Sequence, residues 1–141
     1  MSLTGPIILI DDDLDDQFVI KSMLEDLALP NPLRLFQNGQ EGHQYLLTTI
    51  ETPFLILCDV NMPVMNGLEL RKEIDADPYL KNKAIPFVFL STSANKETVE
   101  NAYKGTIQGY FKKRERYDDG KENLAMIIKY WKSCLHPNSF K

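Results

Sequence analysis

A short apolar segment that ends on an acidic residue is the feature that most constrains this chain. The segment FLILCDVNMPVMNG occupies residues 54–67, and its first five residues are apolar. A run of this length is too short for a helix and is typical of a strand buried on both faces. It stops at Asp59, and a loop with Asn61, Pro63 and Gly67 follows. Because a carboxylate is costly inside a sheet but common at its carboxyl edge, where open α/β sheets have their active sites, Asp59 is the first candidate for a reacting group.

Predicted strands and helices alternate along the whole chain. The predicted strands are residues 6–10, 33–36, 54–58, 85–90 and a short segment around Tyr110 and Phe111. The predicted helices are residues 15–28, 39–49, 67–75, 94–104 and 119–135, and residues 77–83 are predicted as a loop. Strands separated by helices pair in parallel through right-handed crossovers. The pattern therefore predicts an α/β fold with a doubly wound, five-stranded parallel sheet and helices on both faces.

Length and composition predict one domain without an output domain. The chain has 141 residues, of which 43% are hydrophobic and 26% charged, as in ordinary soluble globular proteins. No linker, repeat or low-complexity segment divides residues 1–141. We therefore expect a single domain with one core over about residues 6–135.

Charge and cysteine spacing disfavour several classes of protein. The net charge is −4 and there is no long basic run, which disfavours direct nucleic-acid binding. No apolar run is long enough for a membrane span, and the first residues lack the basic region of a signal peptide. Cys58 and Cys134 have no metal-binding or redox spacing. We therefore expect a protein of the reducing cytoplasm that contacts neither membrane nor nucleic acid directly.

Chemically capable side chains follow four of the five predicted strands. The first strand ends at Asp11 and Asp12, the third at Asp59, the fourth at Ser91 and the fifth at Lys113. The carboxyl ends of parallel strands lie on one edge of a sheet, so these groups can meet in a single crevice. An isolated aspartate at a strand end is usually only solvated. The inference of function therefore depends on this convergence.

Three carboxylates at one edge predict a bound cation. At about 5 Å and an effective dielectric constant of about 20, each pair would repel by roughly 3 kcal/mol. Oxygen ligands without histidine or cysteine favour a hard ion, and so few carboxylates suit Mg²⁺ better than Ca²⁺. Lys113 as a cation and Ser91 as a hydroxyl donor would stabilise the oxygens of a transferring phosphoryl group. Asp59 would be the nucleophile that accepts this group as a mixed anhydride.

Four motifs in this order resemble the receiver domain of two-component response regulators. They are IDDD at residues 10–13, D-x-x-M-P-x-x-x-G from Asp59 to Gly67, the apolar strand that ends at Ser91, and GYFKK at residues 109–113. The resemblance covers essentially the whole chain and is greatest to stand-alone receivers, of which the chemotaxis regulator is the best known. It implies a flavodoxin-like sheet of order 2-1-3-4-5 with five helices.

The resemblance also implies a phosphoacceptor and a set of metal ligands. Asp59 matches the phosphoacceptor, Asp12 the direct metal ligand, and Asp11 the acid that acts through metal-bound water. Asn61 matches the residue whose backbone carbonyl binds the ion, so the implied cofactor is Mg²⁺. Asn61 and Ser93 fall at variable positions that, in the family, tune how readily water attacks the aspartyl phosphate.

Three further residues match the switch and the lysine of the family, and two depart from its pattern. Ser91 occupies the Thr/Ser switch position, Tyr110 the aromatic switch position, and Lys113 the position of the lysine that pairs with the phosphoryl group. Arg114 replaces the proline that usually follows this lysine, and Lys112 is a second amine beside it. We favour Lys113 because the spacing along the fifth strand fits it.

The function implied is that of a phosphoacceptor in a His-Asp relay. A histidine kinase or a His-phosphotransfer protein would donate the phosphoryl group to Asp59, and the domain would catalyse this transfer and its own later dephosphorylation. Movement of Ser91 toward the phosphoryl group would vacate space for Tyr110 and change the face formed by the fourth helix, fifth strand and fifth helix. That face would bind a downstream protein or a second copy of the chain in a homodimer.

Three alternatives stay open at this point. A receiver-like protein-interaction module would use the same fold without phosphorylation. A Mg²⁺-dependent phosphatase with an aspartyl nucleophile normally has a second aspartate where this chain has Asn61. A flavodoxin-like nucleotide binder would need a glycine-rich loop after the first strand, and the sequence there is DDDLDD.

Several neighbouring residues have simpler interpretations. Asp13, Asp15 and Asp16 are interpreted as a helix cap and a solvated first helical turn rather than as ligands. Cys58, next to Asp59, is interpreted as a small buried hydrophobic residue.

Overall fold

Five strands form one parallel sheet with the predicted order. The computed structural model describes residues 2–135. The strands are β1 (Ile7–Ile10), β2 (Leu33–Phe36), β3 (Leu55–Cys58), β4 (Phe87–Ser91) and β5 (Gly109–Lys112). Neighbouring strands are parallel throughout, and their order is β2-β1-β3-β4-β5. The doubly wound fold and the 2-1-3-4-5 order are therefore confirmed.

Six helices form within residues 2–135, one more than predicted. They are α1 (Leu14–Asp26), α2 (Gly39–Thr48), α3 (Gly67–Ala76), α4 (Pro78–Lys81), α5 (Lys96–Tyr103) and α6 (Tyr117–Ser133). The single turn α4 lies where we predicted a loop. It forms because Asp77 accepts a hydrogen bond from the Tyr79 N–H at 2.9 Å and Pro78 occupies the first helical position. The predicted fourth and fifth helices are thus α5 and α6.

The fourth strand is shifted toward its carboxyl end relative to the prediction. It begins at Phe87 rather than Ile85 and includes Ser91 as its last residue. Ala84 has a positive φ of 53°, and Pro86 has no N–H to donate to a sheet, so regular pairing starts only after them. Ser91 is therefore the last residue of β4 at the carboxyl edge of the sheet, and pairing with β5 holds its backbone.

Apolar side chains cover both faces of the sheet. Strands β1 and β3 are buried along their full length. Leu9 packs in a cluster with residues of α1 and α6, while its neighbour Ile10 packs in a second cluster with residues of α2, α3 and α5. Successive strand residues point to opposite faces, so neither face has room for a carboxylate. Polar side chains of the central strands therefore lie only at the ends of these strands.

None of the helices within residues 2–135 has the length and apolar character needed to cross a membrane.

Candidate functional site

Asp11 and Asp59 lie side by side at the carboxyl edge of the sheet. They follow Ile10 and Cys58, which are paired in register between β1 and β3. The Asp59 N–H donates to the Ile10 carbonyl at 2.9 Å, and the Asp11 N–H donates to the Phe36 carbonyl at the end of β2 at 3.0 Å. Sheet pairing thus continues one residue past the strands and places the two acids next to each other.

A third acid, Asp12, completes a carboxylate cluster with Asp11 and Asp59. One carboxylate oxygen from each residue lies within 4.8 Å of the others. Asp11 and Asp59 are buried, with relative exposures of 1% and 8%, whereas Asp12 is exposed. The donors are all oxygen atoms, and Asp12 lies on the exposed side of the cluster. This donor set fits a hard divalent cation such as Mg²⁺.

Asn61 lies beside this cluster in the loop after β3. Its Nδ2 donates a hydrogen bond to the Ser93 Oγ at 2.6 Å, which joins the β3–α3 loop to the β4–α5 loop. The contact uses the side-chain amide and leaves out the backbone carbonyl that the family resemblance assigns to the metal. The two variable positions of the family are thus in direct contact between these two loops.

Burial raises the pKa of the Asp11 carboxyl from 3.8 to about 6. Hydrogen bonds from Lys113 and from the Asp13 N–H, which donates to Oδ1 at 3.0 Å, lower this pKa, and the charge of Asp59 raises it. The loss of hydration at the buried carboxylate is the largest of these effects. Because a divalent cation favours the ionised carboxylate, metal and proton would compete for Asp11.

Lys113, in the loop that follows β5, brings one positive charge to the acids. Its Nζ lies 2.6 Å from Asp11 Oδ2, 2.9 Å from Asp16 Oδ2 and 3.5 Å from Asp59 Oδ2. Burial by itself lowers the pKa of the ammonium, but its hydrogen bonds to Asp11 and Asp16 and the charge of Asp59 outweigh burial. The pKa of Lys113 therefore lies above its ordinary value, and the side chain is a permanent cation in the site.

The neighbouring amine, Lys112, is not in this cluster. Lys112 is the last residue of β5, pairs in register with Ser91, and has an exposed side chain. The Lys113 N–H donates to the Ser91 carbonyl at 2.9 Å, which extends the pairing between β4 and β5 and anchors the backbone of Lys113. Successive side chains of an extended segment point to opposite sides, so only one of the two lysines reaches the acids.

Ser91 and Tyr110 meet at the loop that follows β4. Ser91 is fully buried, and its Oγ accepts a hydrogen bond from the Ser93 N–H at 3.2 Å. The half-buried Tyr110 donates its hydroxyl to the Ser93 carbonyl, and its ring lies 5.7 Å from that of Phe89. Ser91 and Tyr110 therefore hold the backbone of the same residue, Ser93, one through its N–H and the other through its carbonyl. Their switch roles stay predictions.

Two further residues of the site were not predicted from the sequence. Asp16 was interpreted as part of a solvated first turn, and its side chain is 39% exposed, but its carboxylate also pairs with Lys113, which the sequence did not predict. Gln17 is buried, and its Nε2 donates to the carbonyls of Asp11 at 3.3 Å and Phe36 at 3.1 Å, which ties the ends of β1 and β2 together. The one signal in the sequence was their place in the first turn of a helix that starts at the same edge. The cap assigned to this turn is confirmed, since Asp13 accepts from the N–H groups of residues 15 and 16.

Two loops position the side chains of the site. The Gly67 N–H donates to the Val60 carbonyl at 2.9 Å, and a glycine is needed there because a Cβ would clash with the Asp59 carbonyl oxygen. Arg114, which replaces the family's proline, follows a trans peptide bond, and its guanidinium lies 3.7 Å from the Asp119 carboxylate at the start of α6. The Lys113 loop is thus attached to α6 by an exposed ion pair.

Comparisons with known proteins show the family and relatives of similar fold. Residues 7–125 match the family described as the response regulator receiver domain. The chain is 31% identical over 122 residues to the chemotaxis protein CheY1 of Helicobacter pylori, a match that covers 86% of this chain and 95% of the relative. The fold is similar to the phosphorylated cyanobacterial phytochrome response regulator RcpA, with a TM-score of 0.83, 29% identity, and coverage of 94% of this chain and 96% of that one. It is also similar to the Mn(2+)-bound form of response regulator Rcp1, with a TM-score of 0.78, 25% identity, and coverage of 94% and 97%.

Proposed function

The chain belongs to the family of response regulator receiver domains and is therefore a phosphoacceptor response regulator, and we propose that Asp59 is the residue that accepts the phosphoryl group. This proposal rests on the contacts that the two oxygen atoms of the Asp59 carboxylate make. Its Oδ1 accepts a hydrogen bond from the Val60 N–H at 2.8 Å, and its Oδ2 faces the Lys113 ammonium at 3.5 Å. A phosphoryl group on Oδ2 would therefore lie next to the Lys113 ammonium, which would stabilise its negative charge.

We assign Mg²⁺ to the carboxylate cluster. The carboxylates of Asp11, Asp12 and Asp59 and the backbone carbonyl of Asn61 would hold it. The donor chemistry supports this set, since each group offers an oxygen atom and the three carboxylates are close enough to share one ion. When bound, the ion would neutralise the carboxylates and the phosphoryl oxygens. It would thereby remove the repulsion that otherwise keeps an anionic donor away from Asp59.

The reaction requires one bond to form at Asp59 and one to break in the donor. Asp59 Oδ2 attacks the phosphorus of a phosphohistidine, the O–P bond forms as the N–P bond breaks, and the imidazole leaves. Lys113 holds an ammonium against the phosphoryl oxygens, where negative charge must be stabilised. Hydrolysis removes the modification: water attacks the phosphorus, the O–P bond to Asp59 breaks, and inorganic phosphate leaves while the carboxylate of Asp59 is restored. Both steps use the same residues, so the domain would catalyse its own dephosphorylation.

The partners follow from this chemistry. Receiver domains receive phosphoryl groups from histidine kinases or His-phosphotransfer proteins, and we propose the same class of donor here. Ser91 and Tyr110 both bond to the loop after β4, so a contact between Ser91 and a phosphoryl oxygen would alter the loop that Tyr110 holds. The face formed by α5, β5 and α6 adjoins this loop. We propose that it binds a downstream protein or a second copy of the chain.

The test is phosphorylation by acetyl phosphate, read by intact mass. Wild type with Mg²⁺ should gain the mass of one phosphoryl group in an acid-stable and base-labile form, because the product is an acyl phosphate. Asp59→Asn should gain nothing, since an amide is not a nucleophile at phosphorus. Asp118→Asn, which changes an exposed acid of α6, is the matched control and should react like wild type. If wild type binds Mg²⁺ by calorimetry but gains no mass, the chain is a phosphorylation-independent interaction module.

A further inference from the structure

The carboxylate of Asp16 contacts Lys113 but is not one of the acids that would hold metal. Its Oδ2 lies 2.9 Å from the Lys113 Nζ. The acidic cluster within residues 2–135 consists of Asp11, Asp12 and Asp59 and leaves Asp16 out. Its side chain is 39% exposed, whereas that of Lys113 is 11% exposed, so Asp16 holds the ammonium from the solvent side. No part of the function proposed above uses this carboxylate.

The distances at Nζ show how the ammonium is held. A lysine ammonium has three N–H donors and no acceptor. The contacts at 2.6 Å to Asp11 and 2.9 Å to Asp16 are close hydrogen bonds, and the contact at 3.5 Å to Asp59 is a long one. Two carboxylates therefore hold two of the donors, and the third is left for Asp59. A flexible four-carbon side chain alone would not keep this orientation.

Asp11 and Asp16 differ in what else they can do. Asp11 belongs to the cluster that fits a cation, so its carboxylate would be shared between the lysine and the ion. Asp16 can bond to Lys113 without giving up any metal ligand. It is therefore the anchor of the ammonium that stays in place when the other acids are engaged.

The backbone at Asp16 is fixed independently of its side chain. Its N–H donates to the Asp13 Oδ1 at 3.1 Å, as part of the cap of α1. The carboxylate of Asp16 accepts only from Lys113 among the side-chain hydrogen bonds of residues 2–135. A change of this side chain therefore leaves the helix cap intact and removes the contact with Lys113.

We propose that Asp16 is a positioning residue that aims the Lys113 ammonium at the phosphoryl group on Asp59. It acts through the lysine and does not touch the reacting atoms. This role rests on the proposed function of Asp59 and extends it by one residue. With Asp16 in place, the ammonium is already oriented when a donor arrives, so less orientational freedom is lost in the transition state.

The experiment compares rates of phosphorylation by acetyl phosphate at saturating Mg²⁺. Asp16→Asn keeps the shape of the side chain and removes its charge, and we expect the maximal rate to fall about tenfold with little change in the acetyl phosphate concentration for half-maximal rate. Asp16→Glu keeps the carboxylate and should recover most of the rate. Asp15→Asn is the matched control: it removes the same charge from the same helical turn at an exposed residue, and it should react like wild type.

A second background separates positioning from a general effect on structure. In Lys113→Met, adding Asp16→Asn should leave the already low rate unchanged, because the side chain through which Asp16 acts is absent. An Asp16→Asn rate equal to or above wild type, or an equal further loss in the Lys113→Met background, would overturn the role of Asp16. If wild type itself is not phosphorylated, the assignment of Asp59 fails instead. Urea unfolding of each variant verifies that the comparison is made between folded proteins.

Discussion

The Nζ of Lys113 lies 2.6 Å from the Oδ2 of Asp11, although 102 positions separate the two residues in the sequence. Strands β3 and β4 lie between β1 and β5 in the sheet. The contact therefore requires the loop after β5 and the Lys113 side chain to extend past the carboxyl ends of these two strands. The pair joins the lysine that follows β5 to the aspartate that follows β1. It is the electrostatic centre of the site, and it makes the stability of the protein depend on both charges.

Removal of the lysine charge should make stability strongly dependent on Mg²⁺. Lys113→Met leaves the buried carboxylates of Asp11 and Asp59 without their cation, so we expect the free energy of unfolding in EDTA to fall by about 3 kcal/mol. Added Mg²⁺ should restore much of this loss, because it supplies the missing positive charge and binds only the folded state. Phosphorylation should stay slow, since the ion cannot replace the ammonium on the phosphoryl oxygens.

Urea unfolding followed by the fluorescence of Trp131, the single tryptophan, measures this effect. Trp131 packs against the core cluster between the sheet and α1 and α6 and reports on global unfolding. Lys112→Met, at the exposed neighbouring position, is the matched control and should change neither stability nor its response to Mg²⁺. Equal stabilisation of wild type and Lys113→Met by Mg²⁺ would contradict the prediction.

The buried carboxyl of Asp11 should destabilise the metal-free protein at neutral pH. Its pKa in the folded protein is about 6, above the ordinary value of 3.8, so between these values the folded state binds more protons than the unfolded state. The contribution of Asp11 to stability therefore improves as the pH falls from about 6 to about 4 and is unfavourable above this range. A shift of this size corresponds to about 3 kcal/mol.

Asp11→Asn should therefore raise the free energy of unfolding in EDTA at about pH 7.5, by about 1 to 3 kcal/mol. The difference from wild type should shrink as the pH is lowered to about 4, because wild-type Asp11 becomes protonated in the folded state. Urea unfolding over this pH series measures the difference. A variant that is less stable than wild type at neutral pH, or a difference that is constant with pH, would show that Lys113 outweighs the burial of Asp11.

A methyl group at Gly67 should disrupt the loop that follows Asp59. A Cβ there would clash with the Asp59 carbonyl oxygen and lie 2.6 Å from the Phe89 Cε1, so the backbone would have to move. We expect Gly67→Ala to lower the free energy of unfolding by about 2 kcal/mol or more and to slow phosphorylation. Gly109→Ala is the matched control, since its nearest contact would be a side-chain atom of Phe111 at 3.3 Å. Equal stability of the two variants would argue against a tight turn at Gly67.

The two thiols should differ in reactivity. Cys58 is fully buried in β3, and burial raises the pKa of its thiol well above the ordinary value, so no thiolate is available. Cys134 is half-buried after the last turn of α6. A thiol reagent such as dithionitrobenzoate should therefore modify Cys134 quickly in the native protein, and both Cys58 and Cys134 in urea. Rapid modification of Cys58 in the native state, located by peptide mass, would contradict its interpretation as a buried hydrophobic residue.

The order of elements and the edge that carries the site could be predicted from the sequence. Apolar runs the length of a strand, each separated by a helical segment, require parallel pairing, and parallel pairing brings the strand ends together. Three residues of the site could be identified from the sequence because each lies where an apolar run ends: Asp11, Asp59 and Lys113. The turn α4 could have been found too, since Asp77 and Pro78 are a capping pair that we interpreted as a loop.

Tertiary structure alone decided how the side chains of the site are arranged. Periodicity places a residue on a strand or in a helical turn, but the direction and partner of a long side chain depend on packing between segments far apart in sequence. Asp16 in α1 and Lys113 after β5 form an ion pair only because their two segments meet at the sheet edge. The same packing turned Lys113 rather than Lys112 toward the acids and buried Asp11 enough to raise its pKa to about 6. The sequence by itself determined the chemical groups and the edge on which they gather, because those depend on local pattern, and the fold determined which charges meet.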